Sequence, residues 1–386
     1  MIALTAAVLL TPRECTEEPL LLLEEGRIAE VTSRAARELP RGCRSLNFPG
    51  AVLAPAYLDI HIHGGVGHDV MEPSKAGLAR FETFLARHGV SAYLPTTVTA
   101  PEDHILRALE WLANCIENPP EDNAGVRARP LGIHLEGPFL SHTRRGVHPP
   151  EYLLPPTLSR FDRYWQAARG HIKIMTIAPE LEAAMELVAE ASRRGVCCSL
   201  GHSDADLETA RAAIRAGARH ATHTFNAMRP LDHRQPGLVG AILTDQRVTA
   251  EIIADGIHVD PAIVQLFLQV KGRETAVLIT DAISATGMPD GRYRLGSFEV
   301  ELKGEECTSE GKLAGSVLHL DQAVRNAMQF AGWKLQETVQ LASANPAAVI
   351  REKQKGVIAE GADADIIILG PGGEVQKTII AGKISG

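Results

Sequence analysis

The chain has 386 residues, of which 45% are apolar and 22% charged, and it carries a net charge of −8. That length accommodates a barrel of about 250 residues plus a smaller module, and the composition is that of a globular protein with a large core. The acidic balance and the lack of any Lys/Arg block exclude a nucleic-acid surface, and no stretch reaches the ~20 apolar residues of a membrane span.

Residues 1–54 read as short strands, at Ile2–Leu10, Leu20–Glu24, Arg27–Thr32 and Ser45–Val52. The apolar start lacks a basic flank and meets Thr11-Pro-Arg-Glu directly, which favours a buried strand over a signal peptide. Six cysteines without CxxC spacing read as small buried residues of a reducing compartment, so the chain is expected in the cytoplasm.

From residue 55 onward strand and helix patterns alternate. Candidate strands fall at 56–63, 91–97, 132–138, 173–179, 196–202, 220–225, 249–256 and 276–282. Helical patterns lie between most of them, as at Lys75–His88, Glu102–Glu117, Glu180–Arg194 and Asp204–Ala216, the last capped by Ser203 and closed by Gly217. The connection Met228–Gln246 shows no clear helical pattern. Eight strands with crossover helices predict a TIM-type (β/α)8 barrel over residues 55–349. Arg292–Lys312 reads as a β-hairpin insertion and Val317–Phe330 as a closing helix. The strands Ala364–Leu369 and Val375–Ile380 match those of the N-terminus. The two ends, 1–54 and 350–386, are therefore expected to complete one small β-sandwich domain.

Five candidate strands deliver a His or an acid at their carboxyl ends. In Gly132-Ile-His-Leu-Glu-Gly-Pro-Phe139, alternation places His134 and Glu136 on one face, and Gly137-Pro138 ends the ladder just after the acid. His61 and His63 share a strand face with Asp59, and imidazoles two apart on a strand can bind one metal from the same side. His202 and His223 each end a strand; with Glu136 they supply two nitrogens and one oxygen and leave a position open for water. Each of these residues alone has a bland reading, as a core histidine or a capping acid; the constellation is far more specific than its members. Asp281 ends the eighth strand, where a carboxylate would face that water and act as general base and then general acid. His134 lies deeper and reads as a packing or outer-sphere residue. His220, three before His223, is assigned to the opposite face and a structural role.

With these residues in place, the chain resembles the amidohydrolase superfamily and, within it, the N-acetylglucosamine-6-phosphate deacetylases. The resemblance is carried by Asp59-Ile-His-Ile-His-Gly-Gly65, His134-Leu-Glu-Gly-Pro-Phe139, Arg145-Gly-Val-His148, Gly201-His-Ser203, Thr222-His-Thr-Phe-Asn-Ala-Met228, Asp255-Gly-Ile-His258, Thr280-Asp-Ala282 and Leu313-Ala-Gly-Ser316. It departs in Ala56-Tyr57, in Arg144-Arg145 and in the early part of the loop Pro230–Gly237. The resemblance implies that Glu136, His202 and His223 hold a divalent metal, with His61 and His63 making a second ion possible. The residue types suit Zn, Fe, Co or Mn comparably. It further implies that Asp281 is the acid/base and that His148 contacts the substrate near its acetamido group. Asn226 and Ala227 would bind phosphate through the backbone and Arg234 and His258 through their side chains, at least one of these two across a homodimer interface, and Leu313, Ala314 and Gly315 would form a substrate-contacting turn. The activity implied is hydrolysis of the acetamide of an amino-sugar phosphate.

Two other readings start from the same residues. A different amidase of the superfamily that uses a bridging carboxylated lysine needs that lysine at a strand's carboxyl end, and Lys173 opens its strand instead. A non-enzymatic sugar-phosphate sensor would have no need of Asp281.

Overall fold

Eight parallel strands account for the central part of the chain: β1 (Tyr57–Ile62), β2 (Val90–Thr97), β3 (Ile133–Glu136), β4 (Ile172–Ile177), β5 (Cys197–Leu200), β6 (His220–Ala221), β7 (Thr249–Ile253) and β8 (Ala276–Ile279). They pair in chain order from β1 to β8. The sheet returns on itself where Asp281 N–H donates to the carbonyl of His61 at 3.0 Å and Ile62 bridges Ala282. The computed structural model describes residues 1–12, 14–119 and 125–385. Every residue of β1, β2 and β3 is buried, as expected when helices cover one face of a parallel sheet and the barrel interior fills the other. The expected barrel is therefore present.

Helices α1 (Lys75–Arg87), α2 (Glu102–Glu117), α3 (Leu158–Ala167), α4 (Ala184–Arg193), α5 (Leu207–Ala216), α6 (Gly237–Thr244), α7 (Pro261–Thr275) and α8 (Leu320–Ala331) complete the alternation. In α2 the buried residues Ile105, Ala108, Leu109, Leu112 and Ala113 recur at three- and four-residue spacing, so one stripe faces the sheet. Two expectations at the α4 and α5 starts need correction. The cap of α5 is Asp206, whose carboxylate accepts from Thr209 N–H at 2.8 Å, not Ser203. The Ser203 hydroxyl is committed elsewhere, donating to Glu180 at 2.7 Å. Glu180 also accepts from Asp204 N–H, and α4 begins only at Ala184, after Ala183, whose φ of 65° lies outside the right-handed helical region. The connection that shows no helical pattern does hold a helix, α6. Seven of its eight residues are buried, so it has no polar face to give it a period.

Both chain ends enter one further sheet. Its strands run in the order Lys383–Ile384, Val375–Ile380, Ile366–Leu369, Arg44–Pro55, Ile2–Leu10, Pro19–Glu24 and Arg27–Ser33, with Cys15–Glu17 beside Ile2–Leu10. The seam between the ends is the antiparallel pairing of Ile366–Leu369 with Val52–Pro55. This sheet has an apolar cluster of its own, including Leu4, Leu9, Leu21, Leu53, Ile366 and Ile368. The expected hairpin after β8 is larger than a hairpin. Gly291–Leu295, Phe298–Lys303, Glu306–Ser309 and Lys312–Leu313 form a four-stranded antiparallel sheet that packs with Val98, Ile283 and Ala285 beside the barrel mouth.

Candidate metal centre

The site lies at the carboxyl ends of the barrel strands, where loop residues of this fold gather. Glu136 is the last residue of β3, and His61 lies within β1 with His63 just beyond it. His202, His223 and Asp281 each stand two residues past the ends of β5, β6 and β8. All three have left-handed backbones, with φ of 46°, 26° and 52°. Non-glycine residues adopt that conformation at a cost, and such strain concentrates at functional sites. Here it turns three side chains out of their strand directions and into one cavity of about 250 Å3. Glu136, His63, His148, His202, His223, Asp281, Asn226, Ala227, His258, Leu313 and Gly315 line that cavity.

Glu136 is the hub. Its Oε1 lies 3.1 Å from His223 Nε2 and 3.3 Å from His202 Nε2, and the two Nε2 atoms are 3.0 Å apart. Its Oε2 lies 3.3 Å from His63 Nε2, which is 3.0 Å from Asp281 Oδ1. His61 Nε2 is 3.5 Å from both Glu136 and Asp281. All these groups are buried.

Hydrogen bonds on the far side of three of these rings fix their tautomers. His202 Nδ1 faces the Arg144 carbonyl at 3.0 Å, His63 Nδ1 the Thr96 carbonyl at 2.9 Å, and His61 Nδ1 the Glu251 carboxylate at 2.9 Å. Each ring donates there, so Nε2 of each carries a lone pair turned toward carboxylate oxygens. Such an array needs positive charge between its members. Without a metal, protons supply it: burial opposes the charge on His63, but Asp281 and Glu136 carry its pKa up to about 9. Burial likewise opposes ionisation of Glu136, and His61, His202 and His223 outweigh it and hold its pKa well below the ordinary range. A divalent cation meets the same need. The 3.0–3.3 Å separations within Glu136, His202 and His223 are close to the ~3.4 Å expected between ligands of a tetrahedral ion bonded at about 2.1 Å. His61, His63 and Asp281 form a second set of convergent donors.

His148 is set differently. Thr99 N–H donates to its Nδ1 at 3.3 Å, with the Thr99 hydroxyl 2.9 Å from the same nitrogen. The ring proton is therefore on Nε2, which faces the cavity 3.9 Å from Glu136 Oε2. Burial and the neighbouring His202 push its pKa down to about 3, so it is a neutral donor. Gly137 makes this possible: with φ of 80°, it lets Thr99 Oγ1 come within 2.2 Å of where a Cβ would stand. His258 donates from Nδ1 to Asp255 at 2.6 Å, and although burial opposes it, that carboxylate raises the ring's pKa.

Two residues assigned to the substrate lie elsewhere. Arg234 is exposed and outside the cavity, and Ala314 is buried against the insertion sheet, while Leu313 and Gly315 line the cavity. His134 sits one layer down, its Nε2 2.8 Å from Thr176 Oγ1. The placing of His220 on the opposite face is overturned. It is fully buried in the barrel interior, with Nε2 3.0 Å from Glu251 Oε1. Strand parity fails because β6 ends at Ala221, before His223. Glu251 and Thr99 escaped the sequence reading, and Asp255 entered it only within the motif Asp255–His258, without a role of its own. A lone acid in the apolar run of β7, and an acid three residues before His258, were signals for Glu251 and Asp255.

Comparison with known proteins extends the likeness over the whole chain. The amidohydrolase family model matches residues 52–385. The N-acetylglucosamine-6-phosphate deacetylase of Lysinibacillus sphaericus is 38% identical over 364 residues, 94% of this chain and 92% of that protein. The N-acetylgalactosamine-6-phosphate deacetylase of Escherichia coli O157:H7 is 38% identical over 380 residues, 98% of this chain and 99% of that one. Among solved structures, a mutant of the N-acetyl-D-glucosamine-6-phosphate deacetylase of Mycobacterium smegmatis, in complex with N-acetyl-D-glucosamine-6-phosphate, superposes with a TM-score of 0.92. It is 34% identical, with 99% of this chain and 98% of that chain covered.

Proposed function

Since the chain belongs to the amidohydrolase family, we propose that its site hydrolyses the acetamide of N-acetyl-D-glucosamine 6-phosphate, giving D-glucosamine 6-phosphate and acetate in amino-sugar catabolism. The observation that carries this reading is the shared cavity. The Glu136/His202/His223 cluster, Asp281 and a donor-competent His148 all face it, together with Asn226, Ala227 and His258.

Glu136, His202 and His223 would hold one divalent ion, and His61 and His63, with Asp281, a second; Zn, Fe, Co and Mn all suit such ligands. A bound ion of this kind acidifies water and polarises a carbonyl. In the metal-free site burial opposes the charge of Asp281, but the hydrogen bond from a protonated His63 and the neighbouring imidazoles hold its pKa below the ordinary value; a bound cation in their place would favour the same ionised carboxylate. As the water oxygen attacks the acetamide carbon, an Asp281 carboxylate oxygen takes the proton. The His148 Nε2–H donates to the oxygen on which charge develops. When the C–N bond breaks, the same Asp281 proton passes to the amine nitrogen, which is a poor leaving group without it. Asn226, Ala227 and His258, whose ring the Asp255 carboxylate biases toward its charged form, suit a phosphate dianion. We assign the remaining cation to the partner subunit's Arg234, brought across a homodimer interface in the cytoplasm.

A second reading, the C4 epimer as substrate, is favoured by the 38% identity to the galactosamine enzyme. Mass-spectrometric detection of the free amine from each 6-phosphate, at equal enzyme concentration, separates the two; no amine from either would overturn both. We further propose that residues 1–54 and 350–386 form a β-sandwich domain beside a catalytic barrel at 55–349, a division supported by their separate apolar cluster.

A further inference from the structure

Beneath the metal centre lies a carboxylate that touches neither the cavity nor the surface. Glu251, on β7, is fully buried. Its Oε2 accepts from His61 Nδ1 at 2.9 Å and from the backbone N–H of His223 at 3.0 Å. Its Oε1 accepts from His220 Nε2 at 3.0 Å. Neighbouring positions on the strand are Ala250, Ile252 and Ile253, all buried. A buried ion is costly unless its lone pairs are met; here three donors meet them. The cost would vanish with an apolar residue, so packing alone does not account for the acid.

We infer that Glu251 is a positioning residue for the metal centre, and that through His61 it sets the affinity of the ion held by the His61/His63 pair. The claim rests on the two-ion form of the reading above. The two contacts on Oε2 differ in kind. For His61 the partner is the ring itself: the carboxylate fixes the tautomer with Nε2 bare toward Glu136 and Asp281, and makes that nitrogen more basic. For His223 the partner is the main chain, at a residue with φ of 26°, so the carboxylate steadies the backbone without touching the ring. Loss of the charge should therefore loosen one ion far more than the other.

Glu251→Gln tests this. The amide oxygen can still accept from His61 and His223, while the amide nitrogen faces His220, whose other ring nitrogen is 2.7 Å from Thr249 Oγ1 and can take the proton. Shape is kept and charge is lost. Metal-free protein is titrated with Zn2+ against a chromophoric chelator, with stoichiometry from elemental analysis, and His61→Asn identifies which ion is lost. The expected result is two ions in the wild type. In Glu251→Gln the ion sensitive to His61→Asn should be weakened about 10–100-fold and the other changed by less than about threefold. Glu251→Asp, which keeps the charge but withdraws the oxygen, should fall between. Equal weakening of both ions, or of neither, would overturn the inference. So would a fall in the melting temperature of the metal-free protein with the ratio of affinities unchanged, since that is a purely structural role. A wild type that binds one ion, indifferent to His61→Asn, removes the two-ion reading and this inference with it. Failure of the deacetylase reading would show instead as metal-loaded protein without turnover.

Discussion

Thr99 points its backbone N–H at Nδ1 of His148, 3.3 Å away, so the proton of that imidazole stands on the nitrogen facing the cavity. A neutral ring so oriented can donate to a developing oxyanion and cannot serve as the base. This divides the labour of the site between His148 and Asp281, two groups the cavity holds together.

His148→Ala should lower kcat by roughly 10²–10³, the usual cost of removing one such donor, with a smaller change in KM. Thr99→Val removes the hydroxyl but leaves the N–H, so its loss should be about tenfold or less. Steady-state kinetics on both variants check this. A Thr99→Val enzyme as impaired as His148→Ala would mean that the hydroxyl, not the N–H, sets the tautomer.

The metal-free protein should be folded but inactive. The lone pairs of His61, His63 and His202 face carboxylates, so removal of the ion leaves a cluster that only protons can neutralise. Dialysis against a chelator should abolish acetate release, and Zn, Co, Mn or Fe should restore it. An ion at a thousand times its Kd contributes about 4 kcal/mol, which for a chain of 386 residues corresponds to a fall in melting temperature of about 5 °C when it is removed. Calorimetry with and without chelator measures that, and an unchanged melting temperature would count against a metal held by these residues.

The barrel was legible because its strands are largely apolar runs and five of them deliver a His or an acid at the carboxyl end. Glu136, His202, His223 and Asp281 could be singled out because His and acid side chains at strand ends are informative together. What escaped detection did so for separate physical reasons. The helix α6 is buried on all sides and so has no period. His220 and His223 lie on a chain that leaves the strand between them, so counting by two misassigned His220. Thr99 contacts another residue of the site and nothing in its residue type marks such a partner, while Glu251 is marked only as a lone acid in the apolar run of β7. The pairing of Ile366–Leu369 with Val52–Pro55 joins chain ends more than 300 residues apart, a contact that pattern reading can suggest and cannot see.

Glu82, remote from the site, should give stability a pH dependence of its own. Burial pushes its carboxyl up from 4.5 to about 7, against the pull of Arg127 3.8 Å away. The fold prefers the neutral acid. Its favourable contribution is complete below the unfolded pKa near 4.5 and is lost as pH rises through 7. The change is on the order of 3 kcal/mol. Glu82→Gln should therefore unfold at higher urea than wild type at pH 8 and show little difference at pH 4.5. A variant less stable than wild type at pH 8 would show that the Arg127 pair outweighs burial.

The central claim is tested most directly by acetate release from N-acetyl-D-glucosamine 6-phosphate, measured for the wild type and Asp281→Asn with the unphosphorylated sugar alongside. The expected result is rapid release by the wild type, weak release without the phosphate, and a kcat lower by roughly 10²–10⁴ in Asp281→Asn, with its metal retained. Equal rates on the two sugars would contradict a phosphate site at Asn226, Ala227 and His258. Full turnover by metal-loaded Asp281→Asn would contradict the mechanism itself.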